Sequence, residues 1–442
     1  MIMSITVAFI IGVAVLLFLA LKLKVSAFLS LLATALTIGI LSGMGTTEII
    51  KDIVAGFSKS VGSIGLVIIF GTMLGNYLEQ SRAAHKMALD AVRLVGTKNS
   101  SIAMSISGYL ISIPVFSDVG FLILSPLIKA ISKKSKIPLA ALAVALSAGL
   151  LATHVYVPPT PGPLAAAGLL GIDIGRAIIW GAFAAVVMTL FGWMYAHFYL
   201  MKKSPDYYTF VETVVEEKEV DETNLPGSLA SLMPLLLPIV LILLNTTCAA
   251  IFPKDSPVLS VTKFIGDSNI ALVIGALTAI ALLGKRIGKE KVLKIMDSSL
   301  KDAGSIIFIT AAGGALGQIL KTSGAGDSLA QAVVSSGLPF ILIPFVISAI
   351  LKIVQGSGVV AVITSATLAA PIATQLGIDP ILIFLASGAG ARAYCHVNDS
   401  YFWVYTNCCG FDMKTGLKTL SNASIFMSLG GLLATFIASL II

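Results

Sequence analysis

Thr153-His154-Val155-Tyr156-Val157-Pro158-Pro159-Thr160-Pro161-Gly162-Pro163 lies inside an apolar stretch, 137–170, yet cannot run through it as one helix. Four prolines in the six residues 158–163 remove backbone donors and clash with the preceding turn. Irregular backbone at membrane depth persists only where protein or a water-filled cavity satisfies its polar groups. The break therefore predicts a site. His154-Val155 recurs as His396-Val397, 242 residues on, and the same shift lays Gly62-Ser63-Ile64 on Gly304-Ser305-Ile306. With Gly71, Leu74, Gly75, Leu78 and Ser81 this makes eight identities in the 20 ungapped positions 62–81. A shift of 240 lays Ser117 and Ser125 on Ser357 and Ser365. Paired interrupted segments in two halves of a membrane chain point to a transporter binding site.

Composition supports the membrane reading. Residues are 57% hydrophobic and only 12% charged, with a mean hydropathy of +0.98. A soluble chain carries about 25% charged residues. The net charge of +7 then reflects the cytoplasmic bias of Lys and Arg in membrane proteins, not a nucleic-acid partner. The first apolar stretch, 2–20, has no positive residue before it and no small-residue cleavage pattern, so it reads as a retained span. The four cysteines (Cys248, Cys395, Cys408, Cys409) form no disulfide, haem, zinc or redox framework.

Spans of about 20 apolar residues fall near 4–21, 26–43, 61–78 and 174–198 in the first half, and near 230–252, 268–284, 303–320 and 419–441 in the second. Each half also holds an interrupted region and a broken segment: 101–131 with 137–170, and 336–373 with 378–410. The fold class expected is an all-α polytopic membrane protein of two inverted-topology repeats, residues 1–200 and 229–442. A charged, Glu-rich cytoplasmic linker, 201–228, joins them. Each repeat has about five spans plus a re-entrant hairpin and a broken helix. This topology puts 21 of the 29 Lys and Arg residues on one side and six on the other, with Lys352 and Arg392 inside, a strong positive-inside asymmetry. Both termini are then outside. Reading each interrupted region as two full spans leaves the charge distribution unchanged, so charge does not choose between the two. The polar centres Ser117-Asp118 and Gln355-Gly356-Ser357 favour hairpin tips. The polar segments 46–60 and 285–302 read as helices lying along the membrane surface.

Ionisable groups inside apolar segments are expensive and functional by default; here they are Asp118, His154, Lys352, Arg392, His396 and Asp399. Asp118, at the first tip, is the leading candidate for the coupling proton, followed by Asp399 and His396. The bland reading of Asp118 is a helix N-cap. At the second tip, Gly356, Ser357 and Gly358 let backbone amides meet an anion at a helix N-terminus; the alternative is a plain turn. Ser117 joins these as a carboxylate ligand. His154 and Thr160 at one break, and Asn398 and Ser400 at the other, suit hydroxyl recognition, against a structural kink with His154 bonded to backbone. Arg392 reads as a substrate ligand or as the partner of Asp399. Lys352 neutralises the substrate, pairs with Asp118 or snorkels. His396 and Asp399, three apart, share a face if helical. Further metal ligands are lacking, as is a nucleophile elbow, so neither a metal nor a cofactor is expected.

These segments resemble the gluconate permease (GntP) family of bacterial secondary transporters. The resemblance rests on Pro114-Val115-Phe116-Ser117-Asp118-Val119-Gly120 and on His154 through Pro163. It also rests on Gly356-Ser357-Gly358 with Ala361 and Thr364, and on His396-Val397-Asn398-Asp399-Ser400 followed by Phe402-Trp403. It spans nearly the whole chain. It implies proton-coupled import of sugar acids and related hydroxy acids, an elevator-like scaffold and transport domain, a homodimer, and a place in the bacterial inner membrane. Gluconate-type members tend to carry His where this chain has Thr160 and Glu where it has Asp118, so glycerate and D-serine stand beside gluconate as substrates. The expected function is a symporter for a small hydroxylated monocarboxylate. A sodium-coupled carrier is the near alternative, with an intramembrane hydrolase or a channel further off.

Overall fold

The computed structural model describes residues 5–95, 100–113, 115–203, 225–253, 255–325 and 339–442, together with 328, 331 and 335. Pro114, Lys98, Lys254, the linker core 204–224 and the start of the second interrupted region at 336–338 lie outside the described residues. Eight helices among the described residues are long and apolar enough to cross a membrane.

The first half runs α1 (Ile5–Leu21), α2 (Ala27–Leu41), α3 (Thr46–Gln80), α4 (Ala83–Val95), α5 (Ser100–Ile111), α6 (Ser117–Ser135), α7 (Leu139–Tyr156), α8 (Pro161–Leu170) and α9 (Ile174–Met194). The second half runs α10 (Ser228–Ile251), α11 (Pro257–Ile265), α12 (Ser268–Ile287), α13 (Lys289–Thr322), α14 (Leu342–Gln355), α15 (Gly358–Leu376), α16 (Pro380–Gly390), α17 (Ser400–Cys409) and α18 (Met413–Ser439). Turn chemistry sets several of these ends. Leu170-Gly171-Ile172-Asp173 and Leu376-Gly377-Ile378-Asp379 do the same work in the two halves. The glycine enters the left-handed region, φ +66° and +65°, and closes one helix. The aspartate then caps the next, Asp173 accepting from the Arg176 amide and Asp379 from the Ile381 amide.

The segments 46–60 and 285–302 do not form separate surface helices. Nothing between Thr46 and Gln80 interrupts a helix, so 46–60 is the first part of a 35-residue α3. The second segment divides at Gly288, φ +86°, with 289–302 opening the 34-residue α13. α3 and α13 pack on each other and run antiparallel. Gly56 near the start of α3 abuts Gly314 near the end of α13. Asn76 near the end of α3 donates to Ser299 Oγ at 3.0 Å and Asp302 Oδ2 at 3.1 Å. Helices α2, α10 and α12 flank this pair.

A second body forms around α7. From Ala140 to Tyr156 every residue of α7 is buried, enclosed by α5, α6, α9, α16 and α18. Tyr156 pins α7 to α16 by donating to the Leu385 carbonyl at 2.9 Å. The two bodies meet where α8 and α15 lie against α3 and α13. Contact there is close: a Cβ on Gly71 would sit 2.8 Å from the Pro159 carbonyl oxygen, and one on Gly313 would sit 2.7 Å from Thr367 Oγ1. α5 and α14, with 12 and 14 residues, extend about 18–21 Å, well short of a hydrocarbon core of about 30 Å.

Candidate functional site

The prolines do break the chain as their chemistry requires. α7 stops at Tyr156, residues 157–160 are irregular, and α8 restarts with Pro161 at its first position, where a missing N–H costs nothing. In the other half α16 stops at Gly390 and α17 begins at Ser400. His396 and Asp399 therefore share no helix face, because 391–399 is not helical. Asp399 is instead the N-cap of α17 and accepts from the Tyr401 amide at 3.1 Å.

Both interruptions and both tips meet at one cavity of about 510 Å³. Ser117, Asp118, His154, Gly356, Ser357, Gly358, Arg392, Asn398, Asp399 and Ser400 all line it, with Phe116, Val119, Lys352, Gln355, Val359 and Tyr401. Three helices, α6, α15 and α17, begin at this wall, at Ser117, Gly358 and Ser400. Their N-terminal amides and dipoles favour negative charge. Ser357 Oγ caps α15, accepting from the Val360 amide at 3.3 Å. Asp118 is not an N-cap: it lies in the first turn of α6, whose N-cap is Phe116. It accepts hydrogen bonds from Ser400 Oγ at 2.8 Å and Ser117 Oγ at 3.3 Å.

The second tip is tied down firmly. Gly356 turns with φ +78°, and a side chain there would collide with the Asn398 carbonyl. Asn398 Nδ2 donates to the Ile353 and Val354 carbonyls at 2.7 and 2.8 Å. These are end groups of α14 that the helix itself cannot satisfy. His396 Nε2–H donates to the same Ile353 carbonyl at 2.6 Å. Lys352 pairs with Asp399, not with Asp118, and does not snorkel: its side chain is 1% exposed. Arg392 is likewise not the partner of Asp399. Its guanidinium is buried, makes no hydrogen bond or ion pair among the described residues, and leaves Nε without a partner. His154 Nδ1 also has no hydrogen-bond partner among the described residues, and its ring lies 5.8 Å from that of Phe116.

Two predicted residues do not line the cavity. Thr160 is the N-cap residue of α8, and its hydroxyl is spent on the Val157 carbonyl at 2.6 Å. His396 faces the α14 end. Sequence reasoning gave no weight to Tyr401, whose hydroxyl donates to Ser147 Oγ at 2.9 Å, nor to Cys395, whose thiol donates to Asp399 at 3.0 Å. Tyr401 acts through a partner 254 residues away, and the Cys395 thiol meets Asp399, four residues on, only through the fold of the non-helical break.

The model of the GntP family permease matches residues 3–441. The chain belongs to the GntP permease family. An uncharacterized permease of Haemophilus influenzae is 37% identical over 98% of this permease and 92% of its own length. A gluconate permease of Pseudomonas aeruginosa is 32% identical, covering 95% and 94%. In fold, the permease is similar to the YdaH transporter of Alcanivorax borkumensis, whose crystal structure was described as having an unusual topology. The TM-score is 0.65 at 16% identity, over 90% of this chain and 89% of that one. With eight helices among its described residues long and apolar enough to cross a membrane, the permease is a multi-pass protein of the bacterial inner membrane.

Proposed function

We propose that this permease is a proton-coupled symporter that imports a small hydroxylated monocarboxylate, a sugar acid or a shorter hydroxy acid. The observation that carries this reading is Arg392, a buried guanidinium that lines the cavity and makes no hydrogen bond or ion pair among the described residues. A buried cation needs a counter-ion, and a guanidinium forks onto a carboxylate with two parallel hydrogen bonds. Ser117, Ser357 and the Gly356–Gly358 backbone stand beside it. Ser400, Asn398 and the free nitrogen of His154 supply hydroxyl partners. The gluconate permease relative agrees with this substrate class. Coupling follows from charge: the cavity wall holds two basic residues, Lys352 and Arg392, and two acids, Asp118 and Asp399. A carboxylate adds one negative charge, which one proton offsets. Asp118 is its first seat, because Asp399 already has Lys352; Asp399 and His396 follow.

The short limbs α5 and α14 support re-entrant hairpins. The antiparallel packing of α3 on α13 supports inverted repeats, 1–200 and 229–442, since repeats related by an axis along the membrane normal would set matched helices parallel. In this reading the α7-centred body is the moving transport domain, the α3–α13 body is the scaffold, 201–228 is a cytoplasmic linker, and two copies form a dimer. The test is uptake of labelled gluconate, glycerate, lactate and D-serine into proteoliposomes with an inward proton gradient, with and without sodium. Saturable accumulation that a protonophore collapses is expected. Accumulation driven by sodium at clamped pH overturns proton coupling, and no accumulation of any acid overturns the substrate class.

A further inference from the structure

Two buried cations line one cavity, and the fold uses them differently. Lys352, in the last turn of α14, donates to the Gly356 carbonyl at 2.5 Å and to Asp399 Oδ2. Asp399 also takes the Cys395 thiol at 3.0 Å and the Tyr401 amide at 3.1 Å. Arg392, 3% exposed, is near enough to Asp399 to interact with it electrostatically, yet makes no bond to it. It lies instead against the hairpin turn, where a Cβ on Gly358 would come within 2.8 Å of Arg392 Nη2.

We infer that Lys352 is a positioning residue: it neutralises Asp399 and pins the Gly356 turn, and so keeps the Arg392 guanidinium free for the substrate carboxylate. A buried carboxylate that loses its partner is strongly unfavourable. Without Lys352, the nearest remaining cation is Arg392. It turns to Asp399 and is lost to the substrate, while the turn that presents the Ser357 and Gly358 backbone loses its anchor. Lys352 itself touches no substrate in this scheme. The inference rests on the proposed role of Arg392.

The scheme predicts unequal effects for the two members of the pair, whereas general damage from breaking the pair would weaken binding in both variants. The measurement is binding of gluconate and glycerate to the purified full-length permease, with transport KM and maximal rate alongside. Lys352→Met is expected to weaken binding about ten- to a hundredfold, the range of a lost charge-assisted hydrogen bond. Asp399→Asn keeps the helix cap and is expected not to weaken binding, because both cations are then free. The double variant Lys352→Met with Asp399→Asn is expected to recover most of the lost affinity. Wild-type binding by Lys352→Met, equal weakening by Asp399→Asn, or a double variant as weak as Lys352→Met each overturns the inference. If Lys352→Met does not fold, the double variant decides, since it leaves unpaired no charge that the wild type pairs: binding near wild type supports the inference and lost binding overturns it. Arg392→Gln separates the two readings. Wild-type binding there sinks the carboxylate role itself, and the inference with it. Lost binding there, together with a weak double variant, sinks only the role of Lys352.

Discussion

Asp118 and Arg392 line one cavity, yet they reached it by different routes. Asp118 was nominated from the sequence because a charge in an apolar stretch, here between Pro114 and Gly120, is expensive. Its partner was not legible. Ser400 lies 282 residues away and donates to it at 2.8 Å, and no local pattern announces such a bond. This bond ties the start of α6 to the second break. Asp118→Asn keeps the shape and an acceptor but removes the titrating group. It is expected to abolish accumulation driven by a proton gradient while leaving measurable substrate exchange. Unchanged proton-driven uptake would assign the coupling proton to another residue. The sequence reading offered Arg392 as the partner of Asp399 and Asp118 as the partner of Lys352, and the structure pairs Lys352 with Asp399. Lys352 and Arg392 carry the same charge, and only packing decides between them. Lys352 reaches the acid from the end of α14, whereas Arg392 lies under Gly358.

At the scale of elements, breaks read well and joints read poorly. The interruption after Tyr156 follows from proline chemistry, and the paired Gly-Ile-Asp turns follow from capping chemistry. What the duplicated glycines do was not readable. Gly62 and Gly304, part of the best-matching motif, have open space where a Cβ would go. Gly56 and Gly314, which the shift does not pair, form the tight crossing of α3 and α13. A Cβ on Gly314 would collide with Ser60 Oγ and the Gly56 carbonyl. Close approach of helix backbones through small residues is how helices associate in lipid. Gly314→Val is expected to lower thermal stability in detergent by the equivalent of about 1–3 kcal/mol. Gly62→Ala is expected to be neutral or slightly stabilising, by up to about 1 kcal/mol from helix propensity. Equal melting temperatures for Gly314→Val and the wild type would show that the crossing is not tight.

At the scale of the molecule, the proposed inversion makes matched positions face opposite sides of the membrane. The C-terminal ends of α6 and α15 are such positions, and both Lys136 and Gln375 there are exposed. Cysteine introduced at Lys136 is expected to react with a membrane-impermeant maleimide only from the cytoplasm. Cysteine at Gln375 is expected to react only from outside, each read over the background of the native cysteines. Labelling of both from the same side would rule out inverted halves. Their separation along the chain also explains the surface segments misread above. Polar residues in 46–60 and 289–302 suggested the membrane plane, but in long continuous helices that pack on each other they extend beyond the apolar part of a span.

The sequence by itself determined that this chain is a polytopic helical membrane protein and where its helices break, and it nominated the ionisable residues of a candidate site. Those follow from local rules: apolar run length, proline geometry, and the cost of charge in lipid. Only the tertiary structure decided that the two tips and two breaks share one cavity, that Thr160 and His396 turn away from it, and that Lys352 rather than Arg392 holds Asp399. The reason is physical. Each of those outcomes is a contest between groups of like chemistry for one partner, and the winner is set by distances between segments tens to hundreds of residues apart.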